Sequence, residues 1–292
     1  MNWSLSNYRK NNFALHGWIG LCLIMVAWPL NWLLPGLRTL FLFFPLWLGY
    51  ILIVDALTLQ RKGTSLLTRS GWRYLGLFLV SAPAWWLFEV LNVRVQNWLY
   101  IGSEHLTSFQ FGLTATINFS TVIPAIFGTA ELISTTQLIQ NMKPGLVIRP
   151  DRRTTLIFFA AGWGMLALLL FWPTYFFPFM WLSVYFILEP INIWLGNRHL
   201  AEGTQGGNWR MVISLWLGAL LTGLFWEMWN YYAYPKWVYT VPGVGFLHVF
   251  EMPLLGYGGY LPFALEIYAL YHLVVGLVGK KNWDYVTPLD RK

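Results

Sequence analysis

Long apolar runs alternate along this 292-residue chain with short polar segments that hold most of its charges. A helix needs about 20 mostly apolar residues to cross roughly 30 Å of hydrocarbon. Runs of this kind predict eight membrane-spanning helices, at Leu15–Leu34, Leu40–Leu59, Tyr74–Val93, Phe109–Leu138, Leu156–Phe177, Met180–Leu195, Met211–Tyr232 and Phe246–Val278. The predicted fold class is therefore an all-α membrane protein.

Prolines interrupt the two longest runs. Pro124 lies inside the fourth run, and Pro253 and Pro262 lie inside the eighth. Proline removes one helical hydrogen bond and clashes with the preceding turn. We therefore expect these two helices to be kinked, or to be entered through a re-entrant segment.

The composition excludes a soluble domain and gives no sign of a metal site. Hydrophobic residues make up 57% of the chain and charged residues only 11%, a balance typical of integral membrane proteins. The single cysteine, Cys22, rules out a disulfide framework and a cysteine-ligated zinc site. The five histidines show no metal-ligand spacing. We expect neither a metal nor a cofactor.

The basic residues predict the orientation in the membrane rather than binding to nucleic acid. The net charge is +7, but only Arg38, Arg94 and Lys236 of the 19 Lys and Arg residues fall on one side of the predicted bundle. Cytoplasmic loops carry the excess of Lys and Arg in membrane proteins. Both termini are therefore predicted to be cytoplasmic, with the chain in an inner or plasma membrane.

Two similar blocks of sequence each place a carboxylic acid and an amide at the end of an apolar run. Glu89 and Asn92 are three residues apart in the first block, and Glu227 and Asn230 are three apart in the second. On a helix this spacing puts both side chains on one face. Acids inside a membrane are costly, and a functional site is their default interpretation.

Further matches extend these blocks into a two-fold repeat. The matched pairs include Trp47 with Trp181, Asp55 with Glu189, Trp98 with Trp237, Tyr100 with Tyr239, Pro124 with Pro262, and Glu131 with Glu266. The repeat predicts a first four-helix unit at residues 1–139, a basic cytoplasmic linker at 140–155, and a second unit at 156–292. Because each unit has an even number of helices, both units are expected to run in the same direction.

The chemistry that this pattern permits is proton transfer inside an aromatic pocket. A carboxyl group in apolar surroundings favours its protonated form and can donate a proton. The negative faces of nearby aromatic rings stabilise a cation. The candidate acids and bases are Glu89, Glu227 and Glu251, and the candidate substrate-binding residues are Asn92, Asn230, Trp226, Trp229, Trp237, Tyr239, Glu131 and Glu266.

A structural role is the alternative for each acid. Glu89 and Glu227 can hydrogen-bond between helices and hold the bundle together. Asp55 and Glu189 lie towards the cytoplasmic ends of their helices, where we expect a capping or salt-bridge role involving Arg61, Arg198 or His199.

Between about Met211 and Val274 the chain carries four features in a fixed order. They are an aromatic-Trp-acid block at a helix end, an aromatic stretch with Pro, an acid beside Pro, and a Pro-containing helix with a late Glu. The residues are Phe225-Trp226-Glu227, Pro235-Lys236-Trp237-Val238-Tyr239, Glu251-Met252-Pro253, and Pro262 with Glu266. This order resembles the integral-membrane lycopene cyclase domain family, which has two tandem repeats. Glu227 stands where that family has Asp, and Glu251 stands alone where it has paired acids.

The resemblance implies a membrane enzyme of carotenoid biosynthesis, an isomerase that acts without redox chemistry on an isoprenoid or carotenoid. Two other hypotheses remain open from the residues. One is a non-catalytic subunit of a larger membrane complex, which binds a carotenoid, quinone or lipid and contacts partner subunits. The other is a proton-coupled transporter, for which midplane acids and parallel repeats are also suitable.

Overall fold

The computed structural model describes residues 13–279, and in this range it forms a bundle of membrane-length helices. Eight helical segments of the described range are long and apolar enough to cross a membrane. The predicted all-α membrane fold is therefore confirmed. Helix α10 has the predicted bounds, Met180–Leu195, and the other segments begin or end a few residues away from the predicted positions.

From residue 13 onwards, the first half of the bundle contains seven helices and one short strand, with a 3-10 turn at Gly71–Tyr74 between the third and fourth helices. The helices are α1 (Leu15–Leu33), α2 (Thr39–Lys62), α3 (Leu66–Ser70), α4 (Leu75–Val95), α5 (Ser108–Phe119), α6 (Val122–Ser134) and α7 (Gln137–Gln140). The strand is β1 (Trp98–Ile101).

The second half contains six helices and three short strands within the described range, with 3-10 turns at Phe177–Phe179 and Leu254–Gly259. The helices are α8 (Arg152–Phe171), α9 (Pro173–Phe176), α10 (Met180–Leu195), α11 (Ala201–Thr204), α12 (Arg210–Tyr231) and α13 (Tyr260–Leu277). The strands are β2 (Lys236–Tyr239), β3 (His248–Val249) and β4 (Met252–Pro253).

Strands β1 and β2 pair antiparallel and join the two halves. Trp98 lies opposite Tyr239, and Tyr100 lies opposite Trp237. In the repeat, Trp98 corresponds to Trp237 and Tyr100 corresponds to Tyr239. A rotation of the ribbon by 180° therefore exchanges its two strands. Helices α4 and α12, which precede the strands, both end at this ribbon. The two halves therefore run in the same direction through the bundle. We call this the ribbon end.

The fourth membrane segment is broken rather than kinked. Helix α5 ends at Phe119, and α6 begins at Val122, because Pro124 cannot donate a backbone hydrogen bond. Ser81 of α4 bridges the break. Its hydroxyl donates to the Phe119 carbonyl over 2.6 Å and accepts from the Ile123 N–H over 3.0 Å. A neighbouring helix thus satisfies the backbone groups that the break leaves, as a membrane segment requires.

The eighth segment begins later than the apolar pattern predicts. The expected helix Phe246–Val278 is wrong in its first part, where β3 and β4 form a hairpin and a 3-10 turn follows. Pro253 lacks a backbone N–H, and the glycines that follow it favour turns over a helix. The continuous α-helix begins only at Tyr260. The hairpin lies just before the apolar run that forms α13, so the sequence pattern included it in the predicted helix.

Glycines let helices pack closely at corresponding places in the two halves. A β-carbon at Gly17 of α1 would lie 2.5 Å from Ala56 of α2, and one at Gly162 of α8 would lie 2.8 Å from Ile187 of α10. Between the halves, a β-carbon at Gly218 of α12 would lie 2.8 Å from the Ala130 backbone of α6. Small residues at such crossings are typical of membrane helix pairs.

Candidate functional site

Glu227 lies at the centre of the best-defined polar cluster at the ribbon end. The side chain is fully buried near the end of α12. Its Oε1 atom accepts hydrogen bonds from the hydroxyls of Tyr239, at 2.7 Å, and Tyr260, at 2.8 Å. Its Oε2 atom is buried and has no hydrogen-bond partner among the described residues. No Lys or Arg of the described range forms an ion pair with it.

The local sequence of α12 creates the room that this cluster needs. Gly223 lies one helical turn before Glu227, and a β-carbon there would lie 2.5 Å from the ring of Tyr260. The absence of a side chain at residue 223 therefore lets Tyr260 reach the carboxyl group from α13. Trp226 stacks on the same tyrosine, with ring centroids 6.1 Å apart and planes at 23°.

The tyrosine on the ribbon is held in its donor form. Burial, and next the neighbouring Glu227, raise the pKa of Tyr239 well above its usual value. The hydroxyl therefore stays protonated and donates to the carboxyl group. The indole N–H of Trp237 donates in turn to the Tyr239 oxygen over 3.0 Å. Strand β2 thus supplies a short chain of donors that ends at Oε1 of Glu227.

Glu89 has the corresponding place in the first half, with a different set of donors. Its Oε1 atom accepts from the indoles of Trp85, at 2.9 Å, and Trp98, at 3.1 Å, and from the Tyr100 hydroxyl, at 2.5 Å. Burial, and next the neighbouring Glu89, raise the pKa of Tyr100 well above its usual value. Trp85 stands four residues before Glu89, where the second half has Gly223, and its indole is one of these donors.

The two asparagines fasten the strands to the helices that precede them. Asn92 Nδ2 donates to the Trp98 carbonyl over 2.9 Å, and Asn230 Nδ2 donates to the Trp237 carbonyl over 2.7 Å. Each Oδ1 accepts from the backbone of the chain that enters the strand, at Asn97 and Trp237 respectively. The asparagines therefore position the ribbon and do not line the cavity described next, although both were expected to bind substrate.

A cavity of about 470 Å³ lies beneath the ribbon, between the two halves. Aromatic rings from both halves line it: Phe43, Trp85, Trp98, Tyr100, Phe111, Phe119, Phe177, Trp181, Trp226, Trp237, Tyr239, Tyr260 and Phe263. Glu227 and Lys236 are the charged side chains that the described residues contribute to the lining. Ligand pockets in proteins are typically apolar, about 300–1,000 Å³ in volume, and contain few polar groups.

Trp229 does not line this cavity, unlike Trp226, Trp237 and Tyr239. Its side chain is buried in the interface between the halves, 5.0 Å from Trp47 between ring centroids. Its carbonyl accepts from Asn31 and from the Trp32 indole of α1. Trp229 therefore packs the core and anchors the end of α1.

Glu251 is held apart from Glu227 by an ion pair. It lies in the β3–β4 turn, about one-fifth exposed, and pairs with Lys236 of β2. The ammonium group of Lys236 also donates to the Tyr231 carbonyl over 3.2 Å. The pair ties the hairpin to the ribbon. The structure therefore does not bring Glu251 into the lining of the cavity.

Glu131 and Glu266 lie outside the cavity and have opposite surroundings. Glu131 is buried and pairs with Arg69, at 2.7 and 3.0 Å, and with Lys62, at 2.8 Å. Glu266 is fully buried, and neither carboxyl oxygen has a hydrogen-bond partner among the described residues. Counted from Pro124 and Pro262, the two acids are about one helical turn out of register, so they are not equivalent.

Asp55 and Glu189 cap the short helices that follow them. Ser65 Oγ donates to Asp55 over 2.7 Å, and the Leu67 N–H donates over 3.0 Å. The N–H groups of Leu200 and Ala201 donate to Glu189 over 2.6 and 3.1 Å. These acids satisfy the free N–H groups at the starts of α3 and α11, as capping acids do.

Sequence reasoning missed several residues of the site. The first half carries different residues, Val122 and Trp85, at the positions of Tyr260 and Gly223, so the matched blocks gave no signal for them. No sequence feature distinguished Trp85 from the other tryptophans of the chain. Asn97 and Asn118, which line the cavity, carry no motif that distinguishes them from other polar loop and helix residues.

Comparison with family models, with curated proteins and with solved structures finds no match to this chain. Among the described residues, no group of His, Cys, Asp and Glu could hold a metal ion.

Proposed function

We propose that this protein is a membrane-embedded isomerase that cyclises or isomerises a linear isoprenoid or carotenoid without redox chemistry. One observation carries the proposal. Glu227 presents an unpartnered carboxyl oxygen in an aromatic, largely apolar cavity, while two tyrosine hydroxyls hold its other oxygen. The sequence resemblance to the lycopene cyclase domain family supports the same chemistry.

The arrangement suits a proton that leaves from Oε2. Two donors occupy Oε1, so the neutral carboxyl carries its own proton on Oε2. That proton adds to one carbon of a substrate alkene and leaves a carbocation on the other. A second alkene attacks the cation and closes the ring, and an adjacent C–H returns a proton to the Glu227 carboxylate. Product and substrate have the same formula, so the cycle consumes no oxidant or reductant.

The cavity stabilises the cation while it exists. Trp226, Trp237 and Tyr260 line the cavity together with Glu227, and the negative face of an aromatic ring attracts a cation. The low water content of an apolar cavity protects the cation from capture by water. Glu251, paired with Lys236, is not the proton donor in this scheme, and Glu89 orients Tyr100 and Trp98.

The test is turnover of an acyclic carotenoid such as lycopene in membranes that contain the protein. Glu227→Gln preserves the shape of the side chain and removes the acidic proton. General acid catalysis typically contributes about 10²- to 10⁴-fold, so we expect product formation to fall by at least 100-fold. Glu189→Gln is the matched control, since it changes a buried acid outside the cavity. Unchanged turnover in Glu227→Gln contradicts the proposal.

A pigment- or lipid-binding subunit is the second candidate function. The ion pair of Glu251 favours it, because that pair leaves Glu227 as the carboxyl group that the described residues contribute to the lining. If the purified protein retains a coloured polyene or a partner subunit and converts no isoprenoid, this function replaces the first. Glu227 then serves as a hydrogen-bonding anchor between α12, α13 and the ribbon.

The charge asymmetry of the chain supports one orientation in the membrane for either function. We propose that both termini face the cytoplasm and that the ribbon end, with Arg38, Arg94 and Lys236, faces the opposite side of an inner or plasma membrane. The cavity then opens in the half of the bilayer that is remote from the cytoplasm.

A further inference from the structure

Two amide side chains line the cavity and have side-chain oxygen atoms without a hydrogen-bond partner among the described residues. Asn97 precedes β1 and is 3% exposed, and Asn118 lies in the last turn of α5. Both contribute to the lining. The Oδ1 atom of each is buried and has no hydrogen-bond partner among the described residues. Buried amide oxygens are nearly always hydrogen-bonded in proteins, so two in one cavity require an explanation.

The hydroxyl groups in the same lining do not share this property. Thr39 Oγ1 donates to Asn31 and accepts from the Tyr234 N–H. Ser103 Oγ donates to the Tyr100 carbonyl, and Thr114 Oγ1 donates to the Gln110 carbonyl. These three hydroxyl groups therefore have partners within the protein. The two amides differ from them, because no described residue uses their Oδ1 atoms.

The amides lie in the first half of the bundle, and the acid lies in the second. Asn97 and Asn118 are next in sequence to Trp98 and Phe119, whose rings both lie close to Trp85, with centroids 6.2 and 5.7 Å away. Glu227 is surrounded by Tyr239, Tyr260 and Trp226, all from the second half. The lining therefore combines two amides of the first half with the acid of the second half, and the Asn97 carbonyl accepts from the N–H of Thr240, next to Tyr239.

From this arrangement we infer that the ligand is an isoprenoid with a terminal hydroxyl group, which donates to Asn97 or Asn118 while its apolar chain extends towards Glu227. This inference rests on the proposed function and names its substrate class. A pure hydrocarbon would leave both amides unpaired in an apolar site. A site built to hydrogen-bond a hydroxyl discriminates strongly against the analogue that lacks it.

The hydroxyl would also set the direction of the chain. A linear hydrocarbon with two identical ends can enter the cavity either way round. With the hydroxyl at the amides, the apolar chain is the part of the ligand that faces Glu227. The expected reaction is therefore protonation of an alkene in that chain.

Equilibrium binding of two matched probes to the full chain in nanodiscs tests the inference. The probes are radiolabelled geranylgeraniol and the hydrocarbon in which a methyl group replaces its CH₂OH end. Partition into the bilayer is the same for every variant, so a change in the preference between probes reports the site. We expect the preference of the native protein for the alcohol to fall about tenfold in Asn97→Leu and in Asn118→Leu, the effect of one hydrogen bond in an apolar site.

Thr114→Val is the matched control, because the Thr114 hydroxyl already has a partner in its own helix. It should leave the preference unchanged. Because two amide variants are measured, a folding defect in one of them does not decide the result. Unchanged affinity of a variant for the hydrocarbon shows that its cavity is intact.

The outcomes separate this inference from the proposed function. A preference for the alcohol that survives both amide substitutions, or equal binding of the two probes by the native protein, overturns the inference. If a hydrocarbon is converted and the alcohol is not preferred, the isomerase function stands and the inference is wrong. If the alcohol is preferred through the amides and no isoprenoid is converted, the inference stands and the isomerase function is wrong.

Discussion

Trp98 lies directly opposite Tyr239 in the ribbon that joins the two halves. Trp98 donates to Glu89, and Tyr239 donates to Glu227. The two buried acids are therefore connected through a single pair of strands. A disturbance of the ribbon should reach both carboxyl groups, whichever half it begins in.

The first prediction concerns the asparagines that hold this ribbon. Asn230→Ala removes hydrogen bonds to the backbone N–H and carbonyl of Trp237. Each unsatisfied buried group costs about 1–3 kcal/mol, so we expect a loss of stability of at least about 2 kcal/mol. Thermal unfolding in detergent measures it. Asn92→Ala should act similarly, and the exposed Asn141→Ala is the control. A melting curve for Asn230→Ala that matches the control would show that the ribbon does not depend on these bonds.

The second prediction concerns the space at Gly223. A methyl group there would meet the Tyr260 ring, so Gly223→Ala should displace the tyrosine and remove its hydrogen bond to Glu227. We expect activity or ligand binding to fall at least as far as in Tyr260→Phe, which removes only the hydroxyl. Gly76→Ala in α4 is the control, because a β-carbon there meets no atom within 4 Å. Equal behaviour of the two alanine variants contradicts the prediction.

The third prediction compares two buried acids. Glu131→Gln leaves Lys62 and Arg69 without the carboxylate that they share, and breaking a buried ion pair costs about 3–5 kcal/mol. Glu266→Gln breaks no hydrogen bond or ion pair found among the described residues. We expect a large drop in the melting temperature of the first variant and little change in the second. Similar drops in both would mean that Glu266 has a partner of comparable strength.

The fourth prediction concerns pH. Burial lowers the pKa of His199, in the loop between α10 and α11, below its usual value near 6.5. The folded protein then binds this proton more weakly than the unfolded chain does. Stability should therefore fall as the pH drops below about 6.5 towards the lowered pKa. His199→Gln should flatten this part of the stability curve, as measured by thermal unfolding between pH 7.5 and 5. An unchanged slope would assign the effect to other groups.

The fifth prediction concerns topology. Reporter fusions at Lys292 and within the segment 140–155 should both report the cytoplasm. A fusion in the loop that follows β1 should report the other side. Opposite results for Lys292 and the 140–155 segment would contradict the parallel arrangement of the two halves.

The helices and the two acid-amide blocks could be predicted from the sequence because both depend on local patterns. Apolar length sets a membrane helix, and Glu89 with Asn92 repeats as Glu227 with Asn230. The β3–β4 hairpin could not be predicted in this way. It lies just before the apolar run that forms α13, so the pattern assigned both to one helix.

The contents of the cavity depend on contacts between distant parts of the chain. Tyr260 reaches Glu227 because Gly223 leaves space on another helix. Glu251 does not line the cavity because it forms an ion pair with Lys236. Neither outcome follows from spacing along the chain, and the repeat hides both because the corresponding first-half positions carry Val122 and Asn97.

The register of the ribbon also bears on how such a chain arises. Strands that exchange places by a half-turn are what two identical subunits form across a two-fold axis. A protein with a single four-helix unit could close the same ribbon by pairing with a second copy of itself. Gene duplication and fusion through the short segment between α7 and α8 would then make the dimer permanent. After fusion each half can change independently of the other. Trp85 of the first half, at the position that Gly223 has in the second, is one such difference.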